Sequence, residues 1–413
     1  MTHRGVGLVT AIAVLWVFAR SFGIPELQMA AVGCLVLVAG AVLWAVVLPT
    51  RLTAERSVIP GTIWFAHEAT VRITLRNAGR FATPALSIHD TAPGSLITNA
   101  SARLSSLAPG SRTTISYTIH GGQRGRFELG PLTIRATDPF GLVRRTRTID
   151  SVGTVTVYPP VWNLPAGLPL GGATTTGTDG RRRAVTSGDD FADIREYVRG
   201  DDLRSVHWPS TAHRGKLMVR RAESARSPGA VVLLDRRTDR HRGHGASSSF
   251  EIAVAAAASA GHHLATRGRS VILLDGPVAR PPKALPWEAW LEQLAETGTD
   301  AVDLPGLLRQ IGDGLAGDGT LVAVVTVPDP TELRALVRAG RGFSTRAAVI
   351  IDAHGHTSRG RDPEVQDVVT SLRAAGWRAT TLVRGDRLDE RWRELVTSGR
   401  TARAGASPGR GGR

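Results

Sequence analysis

Hydrophobic and polar positions divide the chain into three regimes. The first is charge-free apolar sequence: Val6 to Ala19, then a second run of 22 residues from Leu27 to Leu48. At about 1.5 Å per residue the second run is long enough for a hydrocarbon core of about 30 Å. The first reaches a similar length by extending through Phe22 and Ile24, with Arg20 snorkelling to the headgroups. Trp16, Phe22 and Trp44 stand towards segment ends, where aromatic belts form. A cleaved signal peptide would also account for the first run, although Ala19-Arg20-Ser21 is a poor cleavage site. Either way, Arg4 before the pair and Arg51 and Arg56 after it leave the bulk of the chain cytoplasmic. Residues 1–50 are therefore predicted to be a transmembrane hairpin of a multi-pass cell-membrane protein.

The second regime has period two. Val71–Arg76, Thr114–Ile119, Leu132–Arg135 and Val155–Tyr158 alternate apolar and polar residues. Turn signals separate them, among them Asn77-Ala78-Gly79, Ala92-Pro93-Gly94 and Ala108-Pro109-Gly110. Short half-buried strands at this spacing predict an all-β immunoglobulin-like sandwich over residues 51–160. Residues 161–187 are rich in Pro, Gly and Thr and read as an extended, solvated linker.

The third regime alternates continuous apolar strands with amphipathic helices. Strands are predicted at Val231–Leu234, Val271–Leu274, Leu321–Val327, Ala347–Ile351 and Ala379–Val383. Helical stripes run over Phe250–Thr266, through Trp287, Trp290, Leu291 and Leu294, through Leu333, Leu336 and Val337, and through Val365, Val368, Val369 and Leu372. Such alternation indicates a mainly parallel sheet covered on both faces. Residues 398–413 read as a disordered Arg/Gly-rich tail.

Composition changes this reading little. The formal charge is +15, and only Lys216 and Lys283 among the 51 basic residues are lysines. The arginines are spread along the chain without interleaved aromatics, so nucleic acid is not an expected partner, whereas an anionic membrane surface is. One cysteine, Cys34, excludes an intrachain disulfide or a cysteine metal cluster.

Between linker and α/β region stands a segment dense in directional groups, Gly188 to Glu223. Arg195, Tyr197, Gly200-Asp201, Arg204, Val206, Trp208 and Arg220 are spaced as in the bacterial domain-of-unknown-function family number 58, which the chain resembles. Arg124–Gly130 and Asp138–Leu142 resemble that family's preceding region, although Asp138-Pro139-Phe140-Gly141 also reads as a tight turn. The resemblance implies a von Willebrand factor A-like α/β domain over 188–397, including the signature. It also implies an accessory role beside a MoxR-type AAA+ ATPase and other membrane proteins of the same system. Arg195, Tyr197, Asp201, Arg204 and Trp208 are then either a partner-binding surface or an interdomain clasp, with Trp208 filling the junction.

In von Willebrand A domains the first strand ends in Asp-x-Ser-x-Ser, whose side chains help to hold a divalent cation. The matching residues are Asp235, Arg237 and Asp239. A guanidinium cannot ligate a cation and repels one, so the metal site reads as degenerate, with Asp235 free to pair with Arg237. Neither metal nor cofactor is expected. Gly312-Asp313-Gly314-Leu315-Ala316-Gly317 has dinucleotide-loop spacing but precedes a strand, so it reads as a loop. No Walker A sequence exists. Asp352, His354 and His356 are the best zinc candidates, yet alternate strand residues point to opposite faces. The carboxylate pairs Asp189-Asp190 and Asp201-Asp202 have arginine neighbours and read as ion pairs. Ser247-Ser248-Ser249 reads as a helix N-cap. The expected function is a membrane-anchored, non-enzymatic protein-interaction module. The alternative is a metal-dependent hydrolase using the carboxyl edge of the α/β sheet at Asp235 or Asp352.

Overall fold

The computed structural model of the chain describes residues 1–47, 51–98, 100–168, 194–196, 208–220, 229–276, 284–314, 317–354 and 363–404. They fall into two compact units, Met1–Pro159 and Pro160–Arg413. The apolar runs form α1 (His3–Phe22) and α2 (Pro25–Val47). Their membrane-length windows have mean hydropathies of 1.8 and 2.1, so both helices are long and apolar enough to cross a membrane. Thr2 caps α1 by accepting from the Gly5 N–H. Gly23 stops it in a left-handed conformation, φ +68°, and donates to the Ala19 carbonyl. Ile24 therefore lies in the turn and does not extend the helix.

Eleven strands follow: β1 (Leu52–Ile59), β2 (Thr62–Trp64), β3 (Glu68–Asn77), β4 (Leu86–Asp90), β5 (Leu96–Thr98), β6 (Ser101–Leu104), β7 (Arg112–Gly121), β8 (Gly125–Leu129), β9 (Leu132–Thr137), β10 (Arg144–Ile149) and β11 (Gly153–Tyr158). They form sheets of order β1-β3-β7-β5, β10-β9-β4-β6 and β2-β11-β8. The period-two pattern sends Val71, Ile73 and Leu75 of β3, Ile88 of β4, Ile134 of β9 and Val155 and Val157 of β11 into one shared core. Arg56 on β1 donates twice to Asp90 on β4, at 2.8 and 2.6 Å, and the Tyr117 hydroxyl on β7 donates to the same carboxylate. This buried trio ties the first sheet to the second.

Asp138–Leu142 is a turn. Its carboxylate accepts from the N–H groups of Phe140 (3.0 Å) and Val143 (2.5 Å), and Gly141 supplies the positive φ that the reversal needs. The turn also receives the start of α1: Thr2 donates from its N–H to the Leu142 carbonyl (2.9 Å) and from its hydroxyl to the Gly141 carbonyl (2.5 Å). Val38 and Ala41 of α2 pack on Leu142.

In the second unit, residues 160–168 correct the expectation of a solvated linker. Leu164 and Leu168 are buried in the α/β core, and the Trp162 N–H donates to the Ser259 hydroxyl at 2.8 Å. Residues 169–187 lie outside the described residues. The short ribbon of β12 (Ile194–Glu196) and β13 (Met218–Arg220) encloses α3 (Trp208–Arg214).

The α/β elements are β14 (Ala230–Leu234), α4 (Ser249–Ala265), β15 (Val271–Leu274), α5 (Trp287–Glu296), α6 (Leu304–Gly314), β16 (Gly317–Thr326), α7 (Pro330–Gly340), β17 (Phe343–Ile351), α8 (Pro363–Ala374), β18 (Arg378–Leu382) and α9 (Leu388–Ala404). The five strands pair in parallel in the order β15-β14-β16-β17-β18. Val232, Leu234, Val322, Val324 and Val349 face α4, α5 and α9, whereas Val231, Leu233, Leu321, Ala323 and Ile350 face α6, α7 and α8. Both sheet faces are thus covered, which is why these strands read as continuous apolar runs. Ser248 is the N-cap of α4 and accepts from the Glu251 N–H. The tail expectation changes as well: residues 398–404 continue α9, and 405–413 lie outside the described residues.

Candidate functional site

In an open parallel sheet the strand order reverses at one place, and the carboxyl ends there flank a crevice where ligands commonly bind. Here the reversal falls between β14, which leads outwards to β15, and β16, which leads the other way to β17. Asp235 follows β14 and Thr326 ends β16, so both stand at that point. Asp235 is 1% exposed. Its Oδ1 accepts from the Arg237 N–H (3.1 Å) and Nε (2.9 Å). Its Oδ2 accepts from the second Arg237 guanidinium nitrogen (2.9 Å), the Thr326 hydroxyl (2.7 Å) and the Thr326 N–H (3.2 Å). The carboxylate therefore takes five donors, at least as many as its lone pairs serve.

Arg237 spans two acids. Its remaining guanidinium nitrogen donates to Glu332 at 2.5 Å, and all three side chains are buried. Glu332 is held by a capping box at the start of α7: Asp329 accepts from the Glu332 N–H, and Glu332 accepts from the Asp329 N–H at 2.9 Å. His241 completes the surround. Its Nε2 donates to the Asp235 carbonyl (2.9 Å), leaving Nδ1 for the Ser249 hydroxyl (3.1 Å). Burial opposes the charge on Asp235, but the hydrogen bonds and charge of Arg237, with Thr326, outweigh it and hold the carboxyl below its ordinary range. The same balance runs in reverse for Arg237: burial disfavours its charge, and Asp235 and Glu332 more than restore it.

This chemistry occupies Asp235 itself, while a pocket of about 200 Å³ stays open beside it, lined by Arg240, Arg242, Thr326, Asp329, His354 and Glu364. A carboxylate with a depressed pKa and no open lone pair is a poor general base. A cation reaching Asp235 has to displace a guanidinium that is itself paired. Asp239 points away and is largely exposed beside Arg240, at 3.4 Å. The second sheet-edge carboxylate, Asp352, is fully buried after β17; His354 follows it, and His356 lies outside the described residues. Among the described residues no group of three or more His, Cys, Asp or Glu side chains is placed to hold a metal ion.

The signature residues are described only in part. Arg195 pairs with Val219 across the ribbon, and Arg220 with Ile194, so the two ends of the signature meet. Tyr197, Asp201 and Arg204 lie outside the described residues, as do Asp189, Asp190 and Asp202. Trp208 opens α3 with 67% of its surface exposed. Gly312 and Gly314 end α6 and Gly317 opens β16, a helix-to-strand connection opposite in sense to a dinucleotide loop.

Residues 193–282 match a family described as a protein of unknown function, DUF58. Over that stretch the chain is similar to the DUF58 family. The DUF58 match runs from the ribbon to just beyond β15, so Asp235, Arg237 and His241 lie inside it, whereas Thr326 and Glu332 lie outside. The chain is also similar to the uncharacterized protein YeaD of Bacillus subtilis, 25% identical over 159 residues. That match covers 38% of this chain and 37% of YeaD, little more than a third of the relative's length. Among solved structures, a CARDB domain from Pyrococcus furiosus overlaps 26% of the chain and 91% of its own length at 16% identity, with a TM-score of 0.20. Escherichia coli alpha-2-macroglobulin, from domain MG7 to its C-terminus, overlaps 30% of the chain and 21% of its own length at 20% identity, with a TM-score of 0.21.

Thr326 and Glu332 were not legible as partners of Asp235. Asp329-Pro330-Thr331-Glu332 does carry the capping-box spacing ahead of an apolar helical stripe, which marks Glu332 as a helix-start residue. Nothing local signals that its other oxygen meets a guanidinium 95 positions away.

Proposed function

We propose that the chain is a membrane-anchored, non-enzymatic interaction module that acts with a MoxR-type AAA+ ATPase. In this reading α1 and α2 form a transmembrane hairpin, the β-rich domain is an immunoglobulin-like sandwich, and the α/β domain is von Willebrand A-like with its cation edge converted into an internal ion-pair lock. The α/β domain is presented at the cytoplasmic face. One observation carries the reading: the buried Asp235–Arg237–Glu332 array occupies the crevice where such a sheet would hold a metal or substrate. The exposed Trp208, within the family match, supplies the kind of aromatic anchor that dominates interfaces.

Two measurements on the full-length protein test it. Its melting temperature is expected to stay constant in millimolar magnesium, manganese or zinc, because a bound ion would stabilise the native state. A photo-crosslinker placed at Trp208 in cells is expected to capture a MoxR-type ATPase. A metal-dependent rise in melting temperature, together with a hydrolytic activity lost in Asp235→Asn, would establish the hydrolase instead.

A further inference from the structure

The open ends of the helix hairpin, the start of α1 and the end of α2, both rest on the β10-β9-β4-β6 sheet. Thr2 docks on the 138–142 turn, and Arg145 donates to the Ala45 carbonyl at 2.8 Å. Beside this contact lies an open groove of about 710 Å³. Trp44, Pro84, Leu104 and Pro139 line it with apolar surface, and Arg103 and Arg135 add two guanidinium groups. Arg103 on β6 and Arg135 on β9 both register with Ser87 on the intervening β4. They are therefore two strand spacings apart, about 10 Å between backbones, with a hydroxyl between them. Both arginines are exposed and, among the described residues, neither has a hydrogen-bond or ion-pair partner. The one carboxylate in the lining, Asp138, is buried and accepts from the backbone of its own turn. No acid in the groove competes for an anion.

We propose that this groove binds the headgroup of an anionic phospholipid, with the phosphate bracketed by Arg103 and Arg135 and the glycerol and upper acyl chain against Trp44, Pro84 and Leu104. The proposal rests on the membrane-anchor reading above. Position selects lipid over other anions. Trp44 lies three residues from the end of a 23-residue apolar helix, about one turn inside its terminus. The groove mouth is thus level with the headgroup layer, where amphipathic rings settle and where phospholipid is the most abundant anion. Mixed lining, apolar on the helix side and cationic on the sheet side, fits an amphiphile better than free phosphate.

The test uses the full-length protein, extracted in detergent and exposed to equal amounts of phosphatidylglycerol and phosphatidylcholine, with bound lipid counted by native mass spectrometry. Phosphatidylglycerol is expected to be retained preferentially. The double variant Arg103→Gln, Arg135→Gln should lose that preference by roughly tenfold or more. Arg72→Gln with Arg76→Gln, on the exposed face of the other four-stranded sheet, should keep it. Trp44→Ala should weaken retention of phosphatidylglycerol. Melting curves check that each variant is folded. Equal retention of both lipids by the unaltered protein, or equal loss in both double variants, overturns the groove. Release of the unaltered protein from native membranes by a carbonate wash overturns the anchor reading itself, whereas an integral protein without lipid preference sinks only the groove.

Discussion

At the scale of single residues, Arg237 decides the chemistry of the α/β domain. It pairs with Asp235 and Glu332 at once, and all three side chains are buried. Removing one partner of such an array leaves uncompensated buried charge, so Arg237→Ala is expected to cost about 3–5 kcal/mol. Urea denaturation of the full chain, compared with an exposed control such as Arg334→Ala, measures the difference. The depressed pKa of Asp235 has a definite sign in stability. The folded state holds the ionised form more strongly than the unfolded chain does, so the contribution is complete at neutral pH. It is lost as pH falls below the unfolded carboxylate value of about 4. Asp235→Asn should be less stable than the unaltered protein at pH 7, and the gap should narrow steadily in denaturation series carried down to pH 3.

At the scale of elements, the packing of α4 organises its surroundings. Its alanines lie flat on the sheet, and the Ser248 cap sets its start. His263, near its end, donates from Nδ1 to the Leu164 carbonyl (3.0 Å) and meets Trp392 of α9 edge to face at 5.4 Å. The helix thereby fastens the 160–168 strap and α9 to the sheet. Burial, with the charge of Arg267, lowers the His263 pKa to about 4. The unfolded chain therefore takes up a proton first, near 6.5, and stability falls as pH drops from about 6.5 to about 4. His263→Gln should flatten that limb of the melting-temperature profile, and limited proteolysis at pH 5 should cut the strap sooner in the unaltered protein than at pH 7.5. Element types were largely legible before the structure: the predicted parallel strands correspond to β14 to β18, and the period-two segments to β3, β7, β9 and β11. The strap was not, because Pro and Gly in its composition outweighed two leucines whose burial depends on a distant helix. Nor was helical continuation through residues 398–404, where small polar residues and arginines resemble a solvated tail.

At the scale of the whole molecule, the proposed anchor makes a topological prediction. In a Cys34→Ser background, Ser105→Cys places one thiol in the exposed connection between β6 and β7. A membrane-impermeant maleimide should label it in inverted vesicles and not in intact cells. Labelling of intact cells would put the β-rich domain on the outer face and remove the cytoplasmic presentation on which the proposed partnership depends.

What the chain's order of residues determined alone was periodicity: two apolar stretches of membrane length, a period-two region, and strands alternating with helices, because burial on one face or two writes itself locally into the pattern. It also determined that a guanidinium stands two residues after Asp235. Tertiary structure decided where that guanidinium goes. Thr326 and Glu332 reach Asp235 and Arg237 only because the parallel sheet reverses its order between β14 and β16, bringing together side chains roughly 90 positions apart. A long-range ion-pair array leaves no local periodicity to be read, since each member keeps the pattern of its own strand or helix.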